Sequence, residues 1–311
     1  MITSQLTILS FGCGQDSMTI LPKLALDTEF RKKYAPNDLL VLMADTHNEH
    51  PETYKYFDEV VLPFCKEHDI EILKIDNSMG YHGNTWKSLT GQWQNGNPTV
   101  GSLAYPKTCT HNLKLQPQYR YVEEWLPKKY PNIINKKRKD NYKQFAKIYG
   151  KIRWLIGIAK GEEKRVADAT KETALWKKES IQVEYPLIDI EYDREACQNY
   201  IRSIGLPLPM PSNCMYCPFS CNHLELLWLE KSYPDKFNEW IALEQAKLDA
   251  NKDAAKNLGV SARVHKNGER IGEAFTLYDM LQEAKEIYPD VTMNFLNEYK
   301  WSHGHCVTSS Y

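Results

Sequence analysis

The sequence has no Walker-type phosphate loop: nowhere does a Gly-Lys pair followed by Ser or Thr close a glycine-rich turn, which excludes a standard P-loop NTPase. It contains no apolar run near the ~18 residues of a membrane span. Its opening residues, MITSQLTILSFGCGQDS, lack the basic stretch and cleavage site of a secretory signal. Net charge is only -1 over 311 residues, so no global field attracts a polyanion or a membrane. There is no internal repeat and no low-complexity tail. Without a secretory signal, the eight cysteines read as reduced thiols. A cytoplasmic setting is therefore expected, and metal binding or thiol chemistry ranks above disulfides.

What is present is an alternation of short apolar runs and helical patterns. Leu6 to Phe11, Leu39 to Ala44, Glu71 to Ile75, Ile152 to Ile158 and Ile181 to Tyr185 read as strands buried on both faces. Helical spacing follows the first (Met18, Ile20, Leu21, Leu24) and the second (Tyr54, Phe57, Val61, Phe64). The fold class is α/β, a doubly wound, mainly parallel sheet with right-handed crossovers. A mostly helical extension follows, with the nucleotide-binding domain placed at 1–222 and the extension at 223–311. Residues 77–106, rich in Gly, Asn and aromatics, read as a long functional loop. Asn267-Gly268 reads as a hairpin turn.

Where the first strand yields to the first helix stands Ser10-Phe11-Gly12-Cys13-Gly14-Gln15-Asp16-Ser17. Glycines let backbone amides approach a phosphate, and the helix N-terminus adds partial positive charge. Ser10 and Ser17 can donate hydroxyl bonds. Asp16 suits a helix cap or a magnesium ion. A plain strand-to-helix turn is the alternative reading. Gly14→Val is expected to abolish nucleotide binding and leave the fold intact.

This segment resembles the PP-loop of N-type ATP pyrophosphatases and PAPS reductases, written S-G-G-x-D-S, in the variant S-F-G-x-G-Q-D-S. Asp45-Thr46-His47-Asn48-Glu49-His50-Pro51-Glu52-Thr53 resembles the D-T-G-x-x-x-P-E-T segment, with His47 in place of glycine. Gly157-Ile158-Ala159-Lys160-Gly161-Glu162-Glu163-Lys164-Arg165 resembles G-I-R-x-D-E-x-x-R, with Ala159 and Gly161 replacing Arg and Asp. Lys160 is the candidate to stand in for the lost arginine. The resemblance implies a HUP-like PP-loop fold binding ATP, or PAPS or APS, with Mg2+. It assigns Ser10, Phe11, Gly12, Gly14, Gln15, Asp16, Ser17, Asp45, Thr46 and Gly157 to the nucleotide, and reaction roles to Asp16, Lys114 and Arg165.

Cys214-Met215-Tyr216-Cys217-Pro218 is a C-x-x-C followed by proline, a pattern of iron–sulfur ligands. Cys109 lies in a segment resembling C-T-x-x-x-K-x-x-P, whose lysine is Lys114. In APS reductases a Cys-Cys pair at this place and a later C-x-x-C hold a [4Fe–4S] cluster, which implies Cys109, Cys214 and Cys217 as ligands here, with Thr110 replacing the second cysteine of the pair. Cys221 is the nearest candidate for a fourth; the other option leaves one iron open. Zinc is the competing metal, and an unmetallated thiol group the third reading. Cys65 and Cys197 fall in helical apolar patterns and read as core residues.

Residues 128–153 carry ten basic side chains (Lys128, Lys129, Lys136, Lys137, Arg138, Lys139, Lys143, Lys147, Lys151, Arg153) against Asp140 alone. They suit a nucleic-acid backbone or a solvated helix pair. Near the end, Cys306 follows His303 and His305; it is a candidate nucleophile or a plain tail thiol. Three functions follow as expectations. The first is cleavage of ATP to AMP and pyrophosphate to activate a substrate for sulfur transfer, on a nucleic acid and with a sulfur-donor protein. The second is thiol-dependent reduction of PAPS or APS through Cys306. The third is a non-catalytic nucleotide- and metal-binding interaction protein.

Overall fold

The computed structural model describes residues 4–95, 101–105, 107–136, 139–254, 257–264, 270–271 and 275–303. All five expected strands form: β1 Leu6–Ser10, β2 Asp38–Ala44, β3 Glu71–Ile75, β4 Ile152–Ile156 and β5 Ile181–Glu184. They make one parallel sheet in the order β3-β2-β1-β4-β5, with Leu6 opposite Asp38 and Thr7 opposite Arg153. The order reverses between β1 and β4, and the carboxyl ends at that switch point open a crevice.

Strand periodicity divides the core in two. Leu9, Val41, Met43 and Leu155 face the helices Gln15–Leu26 and Arg194–Ser203. Ile8, Leu40, Leu42, Trp154 and Ile156 face the helices Gln116–Lys129 and Asp140–Tyr149. Cys65 and Cys197 are core residues, as their apolar settings require. Burial pushes both thiols up to about 12.

A third core joins Leu89, Trp93 and Leu113 to the helices His223–Ser232, Pro234–Ala250, Leu277–Ile287 and Met293–His303. One correction belongs to this region. The long loop read at 77–106 contains a helix, Leu89–Gln94, capped by the Ser88 hydroxyl and anchored through Leu89 and Trp93. The hairpin turn at Asn267-Gly268 lies outside the described residues, while Arg263–Val264 and Arg270–Ile271 pair antiparallel around it.

The basic segment is largely neutralised. Lys129 pairs with Glu71, Lys136 with Asp140, Lys139 with Glu123, Lys143 with Glu179 and Arg153 with Glu184. Lys137 and Arg138 lie outside the described residues. Arg153 sits at the start of β4 and Lys129 beside the start of β3, the end of the sheet away from the crevice. No described helix is long and apolar enough to cross a membrane.

One buried cation ties the helical region to the sheet. Lys300 is 1% exposed. Its Nζ lies 2.6 Å from Glu225 Oε2, 3.3 Å from Asn213 Oδ1 and 3.3 Å from His50 Nε2, over the Trp228 ring. Burial, with Lys300 beside it, holds the His50 imidazole well below its ordinary pKa, so the ring is neutral and Nε2 accepts. Removing one partner of a buried pair leaves the other charge stranded. Lys300→Met is therefore expected to cost about 3–5 kcal/mol, and Lys300→Met/Glu225→Gln to recover part of it. Chemical denaturation of the two variants and Glu225→Gln measures the coupling, and strictly additive losses would refute it.

Candidate functional site

The glycine loop lies between β1 and the helix Gln15–Leu26, capped by backbone alone at Gly14. The first-turn amides of a helix have no intrahelical acceptor. Gly12 N donates to Ser17 Oγ at 3.3 Å, and Ser17 Oγ donates to Gly14 O at 3.1 Å, which closes the loop on itself. Cys13 adopts a left-handed φ of 56° and faces the core.

Two glycines are required by close approach. A Cβ on Gly157 would lie 2.9 Å from Ser17 N, so β4 and the helix start could not meet. A Cβ on Gly14 would lie 2.7 Å from Ser212 Cβ and 2.9 Å from Ser212 N. The expectation that Gly14→Val spares the fold is thereby corrected, because valine would push the 209–213 segment off the loop.

Ser10, Phe11, Gly12, Gly14, Gln15, Asp16, Ser17, Lys114, Arg165 and Gly157 all line one narrow crevice. Asp45 and Thr46 do not; the wall at the end of β2 is Met43 and Ala44. The Asp45 carboxylate accepts from His47 N and from Tyr54 Oη, both at 2.7 Å, and so holds a turn. His47 takes a φ of 58°, so it keeps the left-handed backbone that glycine would give. The Gln15 side chain donates to Pro209 O and Trp301 O, each at 3.2 Å, and is spent on the fold.

Sequence reasoning missed Glu49, Gln118, Arg194 and Ser212, which share the crevice. No local pattern marks them; only the tertiary fold brings them there. Arg194 lies 3.4 Å from Asp16 and pairs with Glu162, which also pairs with Arg165. Burial raises the Asp16 pKa, opposed first by Arg194. Glu49 is 4% exposed and 3.2 Å from Lys114. Its Oε2 has no hydrogen-bond partner among the described residues. Lys160 pairs with the exposed Glu191 and lies outside the crevice wall, which corrects its expected role there.

Beside the crevice is a second, mainly apolar cavity of about 320 Å³. Cys109, Cys214 and Cys217 line it with Trp86, Tyr105 and Phe219, and Lys114 lines both spaces. An antiparallel bridge between Glu49 and Cys214, with Met215 N donating to Asn48 O at 2.6 Å, fixes the thiols against the β2 loop. Cys214 Sγ lies 3.3 Å from Thr46 Oγ1. Burial and the adjacent Glu49 push its thiol well up.

Cys221 lines a different, smaller space with Cys214 and Cys217, its Sγ 3.9 Å from Met280 Sδ. Among the described residues no group of three or more His, Cys, Asp or Glu is gathered on a single ion. Zinc needs four donors at about 2.0–2.3 Å from one point. In a cubane each thiolate serves a different iron, so its ligands need not converge on one point. Cys306 lies outside the described residues.

No protein-family model matches the chain, and no curated protein sequence does. Solved structures do. Two of them are distant, each at 14% identity. One is the phosphoadenylyl-sulfate (PAPS) reductase from Candida auris in its phosphate complex, at 14% identity over 67% of this chain and 76% of that one, TM-score 0.37. Another is the U34-tRNA thiolase NcsA from Methanococcus maripaludis with its [4Fe-4S] cluster, at 14% identity over 79% and 74%, TM-score 0.41.

A buried carboxylate with a raised pKa destabilises the fold progressively as pH rises from its ordinary value to the raised one, and its protonated form does not. Asp16→Asn is therefore expected to melt higher than wild type at neutral pH. The gap should narrow as pH falls through the Asp16 pKa. Thermal melts across pH check this, and a variant that melts lower at neutral pH would show that the Arg194 pairing outweighs burial.

Proposed function

We propose that the chain binds ATP in the glycine-loop crevice and cleaves it to AMP and pyrophosphate, activating an acceptor for sulfur transfer beside the three thiols. One observation carries this reading: the phosphate-loop crevice and the thiol cavity adjoin, with Lys114 in both walls. The loop amides and the helix N-terminus hold the phosphates. Asp16 takes the magnesium ion, and Met43, Ala44 and Ile156 supply apolar surface for the base.

The acceptor oxygen attacks the α-phosphorus, the α–β bridging bond breaks, and pyrophosphate leaves with that bond's electron pair. Lys114 stabilises charge developing at the α-phosphate. A sulfur nucleophile then attacks the activated carbon of the adenylate, and AMP departs with the acceptor oxygen. Cys109, Cys214 and Cys217 would hold a [4Fe–4S] cluster, leaving one iron without a protein thiolate. When bound, such a cluster supplies a soft iron able to carry sulfur.

ATP incubated with anaerobically prepared protein, Mg2+ and nucleic acid as the acceptor is expected to release pyrophosphate, and Lys114→Ala to lower the rate by about 10²–10³. Release from PAPS of sulfite instead, dependent on Cys306, would favour sulfonucleotide reduction. Cys109→Ser, Cys214→Ser and Cys217→Ser should each lose stoichiometric iron, while Cys65→Ser and Cys197→Ser keep it. Iron retained in any of the first three would refute the ligand set.

A nucleic-acid acceptor would rest on the exposed Lys128, Lys147 and Lys151. With about three phosphates neutralised, the log of the binding constant should fall with log salt by a slope of roughly 2–3. No association at low ionic strength would make the acceptor a small molecule.

A further inference from the structure

We infer that Gln118 reads the base of the nucleotide, its amide oxygen accepting from the exocyclic amino group of adenine. The inference rests on the nucleotide reading of the crevice and names a residue that selects the base within it. Gln118 is 2% exposed and lines the crevice. Its Oε1 has no hydrogen-bond partner among the described residues. A buried acceptor left unpaired costs stability, so the fold carries this amide at a loss. Packing does not ask for it either. Leu115, Tyr119, Val122 and Leu126, along the same run of helix, are buried in the core against the sheet. Gln118 stands three residues after Leu115 and four before Val122, the spacing of one helix face. An apolar side chain would continue that face.

The unpaired atom is an acceptor, which limits what can complete it. Phosphate oxygens themselves accept and cannot. The cations that share the crevice are held by carboxylates, Lys114 by Glu49 and both Arg165 and Arg194 by Glu162. The donors a nucleotide brings are the amino group of its base and the hydroxyls of its ribose. Met43, Ala44 and Ile156 line the same crevice, and apolar side chains suit the faces of a flat ring better than a sugar whose hydroxyls need partners. Glutamine also matches adenine in shape. Oε1 accepts from the amino group while Nε2 donates to a neighbouring ring nitrogen, a two-bond pairing that distinguishes adenine from other bases.

Calorimetry on the full chain with Mg2+ tests this with three probes: ATP, purine riboside triphosphate, which lacks only the amino group, and dideoxy-ATP, which lacks both ribose hydroxyls. In wild type, loss of the amino group is expected to weaken binding about 10- to 100-fold. In Gln118→Leu that penalty should vanish, while the dideoxy penalty stays as in wild type. The variant should also melt at or above wild type, because an apolar side chain replaces an unpaired buried amide. An amino-group penalty that persists in Gln118→Leu, or a dideoxy penalty that vanishes instead, overturns the assignment. If wild type binds ATP and purine riboside triphosphate equally, Gln118 loses its role while the nucleotide reading stands. Wild type that binds none of the three sinks both. Should Gln118→Leu fail to fold, Gln118→Met, nearer in shape, decides by the same penalties. If both variants melt well below wild type, the amide serves the fold and the inference falls.

Discussion

Gly14 carries no side chain, and Ser212 packs so close that an added Cβ would lie 2.7 Å from its Cβ and 2.9 Å from its N. That contact seats the segment leading into Cys214 and Cys217 directly on the phosphate loop. Ser212 thereby becomes part of the crevice wall, and the Glu49–Cys214 bridge follows from the same path of the chain. A loop that in isolation would only turn a strand into a helix is roofed by the thiol-bearing segment.

The roof is held from its far side by the Lys300 network. Its ammonium joins the β2 loop through His50, the thiol segment through Asn213 and the helix His223–Ser232 through Glu225. Burying a cation is costly unless several acceptors share it, and the three partners come from three different parts of the chain. The C-terminal helices thus bear on the geometry between crevice and thiols without lining the crevice.

Charge in the crevice follows a consistent plan. Asp16, Glu49 and Glu162 face Arg194, Lys114 and Arg165 in close pairs, so the cations are held in position before any phosphate arrives. Such preorganisation spares the cost of ordering long side chains at the moment of binding. It also means that, under the proposed nucleotide reading, a phosphate must displace a carboxylate.

The apolar runs, by themselves, determined the five strands and the parallel sheet, because strands buried on both faces must be nearly continuous in Val, Ile and Leu. The strand-to-helix glycines likewise announced the crevice, since their spacing is a local backbone property. Ser10, Gly12, Gly14, Asp16, Ser17 and Gly157 all line it. The tertiary structure decided what no local pattern encodes. It spent Asp45 on a turn, placed Arg194 rather than Lys160 beside Asp16, set Cys221 against Met280 and neutralised much of the basic segment with acids from distant elements. The physical reason is the same in each case: a side chain's role depends on which charges and surfaces the fold brings within a few ångströms, and those partners lie tens to hundreds of residues away along the chain.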